Sequence, residues 1–147
     1  MSRRILEDAR EALLVRRLQQ DAALSRLQAQ QQAVRAARER ADRSVERHLA
    51  SEAAWAAALH DVVDPGVIQL WRAHTADRLE DVRAAERDWA DETDLTSHLG
   101  AVWGRQVRLA EAVQDVVQAA ARKVRRTEEE RRLGAAEDAR LARRVGP

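Results

Sequence analysis

Four histidines, five serines and a run of arginines near the C-terminus are the side chains whose types could do chemistry in this 147-residue chain. His48, His60, His74 and His98 could ligate a metal or move protons, but they lie far apart along the sequence. Folding the chain back on itself brings His60 near Leu70 and His74 near Ala56, so no ligand trio assembles. His48 and Glu52 have i,i+4 spacing on a helix, yet two ligands do not make a site. None of Ser2, Ser25, Ser44, Ser51 and Ser97 sits in the strand-to-helix turn that exposes a nucleophile. Cysteine is absent, which excludes thiolate chemistry and disulfide frameworks and fits a reducing compartment. There is no Gly-rich phosphate loop. The chain reads as a non-enzyme with neither a cofactor nor a metal site.

Binding chemistry has better material. Arg122-Lys123-Val124-Arg125-Arg126 and Arg131-Arg132 could neutralise phosphates. Glu128-Glu129-Glu130 lies between them, with Glu128 and Arg132 at favourable i,i+4 spacing, so a solvated helix face or an acidic protein partner is preferred over nucleic acid. Arg122, Arg125, Arg126, Arg131 and Arg132 are the candidate contacts at this end. Of the four tryptophans, Trp89 and Trp103 fall in a helical seam. Trp55 and Trp71, with Leu79, cluster near the expected reversal of the chain, where a large indole is hard to cover. Tryptophan is enriched in interface hot spots, so these three are candidate partner contacts.

The elements that position these residues are two long helices. Apart from Pro147, the only proline is Pro65, in Asp64-Pro65-Gly66. Proline is costly inside a helix and pushes the preceding residue toward extended geometry. Asp64 can cap a second helix whose first turn holds Pro65. The expectation is a single all-α domain, a long antiparallel two-helix coiled-coil hairpin: helix 1 over about 3–63, a turn at 64–66 and helix 2 over about 67–144.

The second half carries a sustained heptad frame. One set is Ile68, Thr75, Val82, Trp89, Thr96, Trp103, Ala110, Val117 and Val124. The alternating set is Trp71, Arg78, Ala85, Glu92, Leu99, Gln106, Val113 and Ala120. Such a 3.5-residue repeat is the signature of a supercoiled helix. Val102, Leu109 and Val116 widen the seam, which implies a contact beyond one partner helix. Thr93, Asp94, Thr96, Ser97 and two glycines between Asp91 and Gly104 could mark a second turn and a three-helix arrangement; the frame stays in phase through them, which favours one continuous helix. In the first half, Leu6, Leu13, Gln20, Leu27, Val34, Ala41, His48 and Trp55 form one seven-residue comb. Leu24, Val45 and Leu59, with Arg10, Arg17, Gln31 and Arg38, are taken as its complement. Folding about Pro65 pairs residues whose numbers sum to about 130, setting Trp89 against Ala41, Trp103 against Leu27, Trp71 against Leu59 and Val124 against Leu6. Beyond Arg126 helix 2 runs out of partner and forms a C-terminal overhang.

Composition agrees with this architecture. Hydrophobic residues are 45%, many of them Ala, and charged residues 35%, with no Phe or Tyr, which suits a narrow seam and modest stability rather than a thick core. The net charge of +1 hides an asymmetry. Residues 61–94 hold ten acids and four arginines, whereas residues 122–147 hold nine bases and five acids. The turn end is therefore expected to be acidic and the end with the termini basic, a pattern that bears on partner choice. No apolar run follows Met1-Ser2-Arg3-Arg4, so no cleavable signal is expected. No stretch approaches the roughly 20 apolar residues of a membrane span, and a cytoplasmic location is expected.

A hairpin of this length, rich in Ala, Arg, Glu, Gln and Leu, resembles the FliJ/YscO family of type III secretion stalk proteins. The resemblance runs through Ile5-Leu6-Glu7-Asp8-Ala9-Arg10, Leu18-Gln19-Gln20, residues 28–32 and the tail from Arg131 to Arg140. It is one of pattern over nearly the whole chain. It implies a stalk, flagellar or injectisome, whose end with the termini enters a hexameric export ATPase and which links that ring to the export gate. It further implies a place beside the inner-membrane apparatus, and some members bind secretion chaperones. The alternative is a generic scaffolding or nucleic-acid-associated coiled coil.

Overall fold

The computed structural model describes residues 2–61 and 64–145. They form two helices, α1 (Ser2–Ala58) and α2 (Pro65–Val145), which pack against each other, with no strand among the described residues. The all-α hairpin read from the sequence is therefore the fold, including the helical overhang at the C-terminal end of α2.

α1 closes at Ala58, and Leu59, His60 and Asp61 make a turn begun by Leu59 N–H donating to the Trp55 carbonyl at 2.8 Å. The expected end near 63 lies outside the described residues. Pro65 and Gly66 belong to α2 rather than to the turn. Asp64 is the cap: its Oδ1 accepts from Gly66 N–H at 2.8 Å and its carbonyl from Ile68 N–H at 3.1 Å. Proline at the first helical position loses no helical donor, because that N–H has no partner within the helix. A Cβ on Gly66 would come within 3.3 Å of the capping Asp64 oxygen, so the smallest side chain suits this cap.

α2 is continuous through the polar stretch from Asp91 to Gly104. The hydroxyls there turn back onto their own helix. Thr93 donates to the Trp89 carbonyl at 2.8 Å, Thr96 to Glu92 at 2.9 Å and Ser97 to Thr93 at 3.3 Å. Satisfied in this way, residues that otherwise favour turns stay helical.

The chain divides into two units, each an antiparallel α1/α2 pair. One comprises Met1–Ala23 with Val102–Pro147, the other Leu24–Ala101. In the first, the Arg3 guanidinium meets Glu128 at 2.5 Å and Arg17 donates to Gln114 Oε1 at 3.4 Å. Both pairs have residue numbers summing to 131, beside the expected 130. In the second, His74 Nε2 meets Ser51 Oγ at 2.9 Å and the Arg38 guanidinium lies 5.6 Å from the Trp89 ring centre. Gln30 Nε2 donates to the Glu92 carbonyl at 3.1 Å and to its carboxylate. These partners sum to between 122 and 127, within about two turns of the expected register.

Every residue of both expected α2 sets is buried or half-buried, so that frame holds throughout. On α1 the comb from Leu6 to Trp55 also faces inward, but its complement needs correcting. Arg10, Arg17, Gln31 and Arg38 are exposed. The inward positions are Ala9, Arg16, Ala23, Gln30, Ala37, Ser44 and Ser51, three residues after each comb member rather than four. Small side chains there let the backbones approach, and the displaced guanidinium groups keep their water. Leu24, Val45 and Leu59 flank the seam, half-buried.

Candidate interaction surfaces

With the heptad on α1 set by Leu6 and Leu13 at a, and on α2 by Trp103, Ala110 and Val117 at a, each remaining position has a defined flank. In the unit with the termini, Arg3 and Arg17 on α1 and Glu128 and Gln114 on α2 all occupy e positions, and they meet. The e flanks of the two helices thus face each other, and the g flanks lie together on the opposite side of the seam. Arg3 holds the Glu128 carboxyl below the usual carboxylate range through its hydrogen bond first and its charge second, with Arg131 and Arg132 adding to the effect. The same contact raises Arg3. Glu128 is therefore engaged across the helix pair and not, as its spacing suggested, with Arg132 within α2.

That arrangement leaves the candidate bases free. Arg122, Arg125, Arg126, Arg131 and Arg132 are all exposed, and among the described residues none is held in an ion pair. They do not share one stripe: Arg122, Arg125 and Arg126 fall at f, b and c, pointing away from the seam. From Glu129 to Arg144 every residue except Gly134 is exposed. This is the segment the register leaves without α1 beside it, and it adds Arg140, Arg143 and Arg144, which with Leu141 line a shallow depression.

In the unit with the turn, the three candidate contacts differ from one another. Trp55 is half-buried, its ring centre 6.1 Å from that of His74 at an interplanar angle of 48°. Trp71 is half-buried with its indole Nε1 shut away from solvent and without a partner. Leu79 is 38% exposed. The structure joins Trp55 to His74 and Ser51 in one small cluster on the seam's edge. It gives Leu79 the open position.

The histidines stay dispersed. His48 occupies an a position, with Nε2 3.5 Å from Glu52 and Nδ1 buried without a partner; His60 and His98 are exposed. Among the described residues no three His, Cys, Asp or Glu gather in a way that could hold a metal ion. A groove beside Trp89, lined by Glu86, Ala90, Thr93 and Asp94, is built from α2 alone. Among the described residues no helix is long and apolar enough to cross a membrane.

One surface was only half visible in the sequence. Leu109 and Val116, which widened the α2 seam, are 42% and 55% exposed, so α1 does not cover them. Ile5, Val15 and Leu18 on α1 are 49%, 53% and 69% exposed. Their signal was the g position of Ile5 and the neighbouring c and f positions of Val15 and Leu18. A complement placed one residue too far along α1 hides that flank. Comparisons of the chain with protein-family models, with curated proteins and with solved structures find no match.

Proposed function

We propose that this chain is a non-enzymatic stalk of a type III secretion export apparatus, coupling a hexameric export ATPase to the export gate on the cytoplasmic side of the inner membrane. The observation that carries the reading is the exposed basic helix beyond Glu128, continuous with an α2 of 81 residues. An isolated helical segment of this size is marginal in water, so a surrounding partner would order it. Its arginines can form charge-assisted pairs with carboxylates lining a ring cavity. The turn unit holds the acidic stretch at residues 61–94 and offers Trp55, Trp71 and Leu79 to the gate or to a secretion chaperone.

The test is stimulation of a hexameric export ATPase by this chain. Reversing Arg122, Arg125, Arg126, Arg131 and Arg132 to Glu should abolish stimulation while helicity persists, because the seam is untouched. Deleting residues 127–147 should weaken ATPase coupling more than gate binding. If the deletion leaves stimulation intact and instead removes affinity for DNA, the stalk assignment fails and the nucleic-acid reading replaces it.

A further inference from the structure

The g-side flank of the terminal unit is an uncovered apolar band: Ile5 and Val15 from α1 beside Leu109 and Val116 from α2, with Leu18 at its outer margin. Alanines fill the gaps, with Ala12 and Ala22 on one helix and Ala112 and Ala119 on the other, all exposed. Scattered exposed leucines are ordinary, but a contiguous band on one face marks an interaction site. The opposite, e-side flank is polar and satisfied by Arg3 with Glu128 and Arg17 with Gln114. The two flanks of one helix pair therefore have different chemistry.

Charge at the band's edges identifies the occupant. The α1 edge carries Asp8 and Glu11 beside Arg4; the α2 edge carries Arg108, Arg122, Lys123 and Arg126 beside Asp115, and all are exposed. We propose that this face binds a second copy of the chain, about a two-fold axis running along the helices. That operation sets α1 of each copy over α2 of the other, antiparallel, at the same level as in the intrachain register. Asp8 and Glu11 of one copy then lie level with Lys123 and Arg122 of the other, and Val15 with Val116. Acidic edge meets basic edge twice, as an isologous interface requires. Each helix of the resulting four-helix bundle has antiparallel neighbours, and its core is filled by residues that are exposed in one copy. The rival axis, perpendicular to the helices, stacks α1 on α1 and sets acidic edges together.

The inference does not rest on the stalk reading, and its test needs no other protein. Sedimentation equilibrium of the full chain over a concentration series should give two copies per particle. The double variant Val15→Glu/Val116→Glu should raise the dimer dissociation constant at least about tenfold, since a few central apolar contacts dominate such interfaces. Circular dichroism should show unchanged helicity, because both positions are already exposed. The chain has no native cysteine, so Val15→Cys and Val116→Cys chains can be mixed and oxidised. A disulfide between unlike chains supports the axis, and homodimeric disulfides of Val15→Cys overturn it. A monomer at every concentration overturns the proposal and leaves the face to a helix of another protein. A dimer that survives Val15→Glu/Val116→Glu at full helicity overturns the choice of face.

Discussion

The two units are built on the same heptad frame and differ in what fills it and what flanks it. In the unit with the termini the fully buried seam on α1 is leucine at a, with Leu6 and Leu13 at 8% and 9% exposed. In the unit with the turn Leu27, at 9%, gives way toward the turn to Ala37 and Ala41, at 1% and 3%, with Ser44 at 8%. The flanks diverge as well. The g positions of the terminal unit include the apolar Ile5, Ala12, Leu109 and Val116, with Gln19 on α1 and Lys123 on α2 beside them. Those of the turn unit include Arg40 and Arg47 on α1 and Asp81 and Asp88 on α2. Opposite charges on facing flanks suit a helix pair that is complete in itself, whereas an apolar flank suits one that takes a further neighbour. One repeat thus serves two purposes, decided by side-chain size inside and polarity at the edge.

That contrast makes graded predictions. Leu13→Ala opens a cavity in the leucine-rich seam and should cost about 2–5 kcal/mol, toward the lower end because neighbouring exposed side chains can settle inward. Urea unfolding followed by circular dichroism measures it. Ala37→Leu does the reverse in the close-packed unit, forcing the helices apart at a cost of about 1–3 kcal/mol. The same Ala→Leu change at exposed Ala36 should leave stability nearly unchanged. Equal losses at positions 36 and 37 would erase the distinction between seam and flank. Asp64→Ala removes the cap on Gly66 N–H and should cost about 1 kcal/mol, read as a lower unfolding midpoint of the turn unit by hydrogen exchange.

The smallest effect is electrostatic. Glu128 is lowered by Arg3 across the helix pair, and Glu80 is lowered by the hydrogen bond and charge of Arg87 at 2.7 Å within α2. A lowered folded pKa stabilises above the ordinary carboxylate range, and the contribution is lost as pH falls through the lowered value. These exposed groups contribute little to stability, so the readout is their own titration by NMR. Arg3→Gln should return Glu128 toward the ordinary range and leave Glu80 unmoved. A Glu128 titration unaffected by Arg3→Gln would remove the evidence that the e flanks meet.

The fold was largely legible. α2 was readable because its seam includes Trp89, Leu99 and Trp103, large residues that recur at the coiled-coil spacing and carry the frame across Thr93 to Ser97. The α1 complement was not readable, because alanine is as common outside the seam as in it. Ala9, Ala23 and Ala37 give no contrast, while Leu24 and Val45 beside them do and mislead by one position. The end of α1 had no signal either, since no cation stands in its last turn and no glycine follows before Gly66. At the candidate sites, the exposure of Arg131 and Arg132 followed from hairpin arithmetic. The engagement of Glu128 by Arg3 did not, because sequence spacing reports neighbours along one helix and not the partner across it. Trp55 was expected, with Trp71 and Leu79, as a partner contact near the turn; its ring also lies near that of His74, which rests on Ser51, a seam residue the misplaced complement concealed.

The hydrogen bonds from Gln30 to Glu92 bear on how the chain finds a single alignment. A strict seven-residue repeat has many nearly equivalent alignments, each one heptad from the next, in which hydrophobic positions still meet hydrophobic positions. Glu92 breaks that degeneracy. In the native alignment its carboxylate and carbonyl both receive the Gln30 amide. Slipped by one heptad, the half-buried carboxylate would lie level with Ala37, which offers no donor, and a polar group moved out of water without a partner is penalised. His48 and Gln106, each with a buried polar atom lacking a partner, mark where the seam gives up stability to polar residues. What that sacrifice secures is phase: of a ladder of shifted hairpins, the chain populates one.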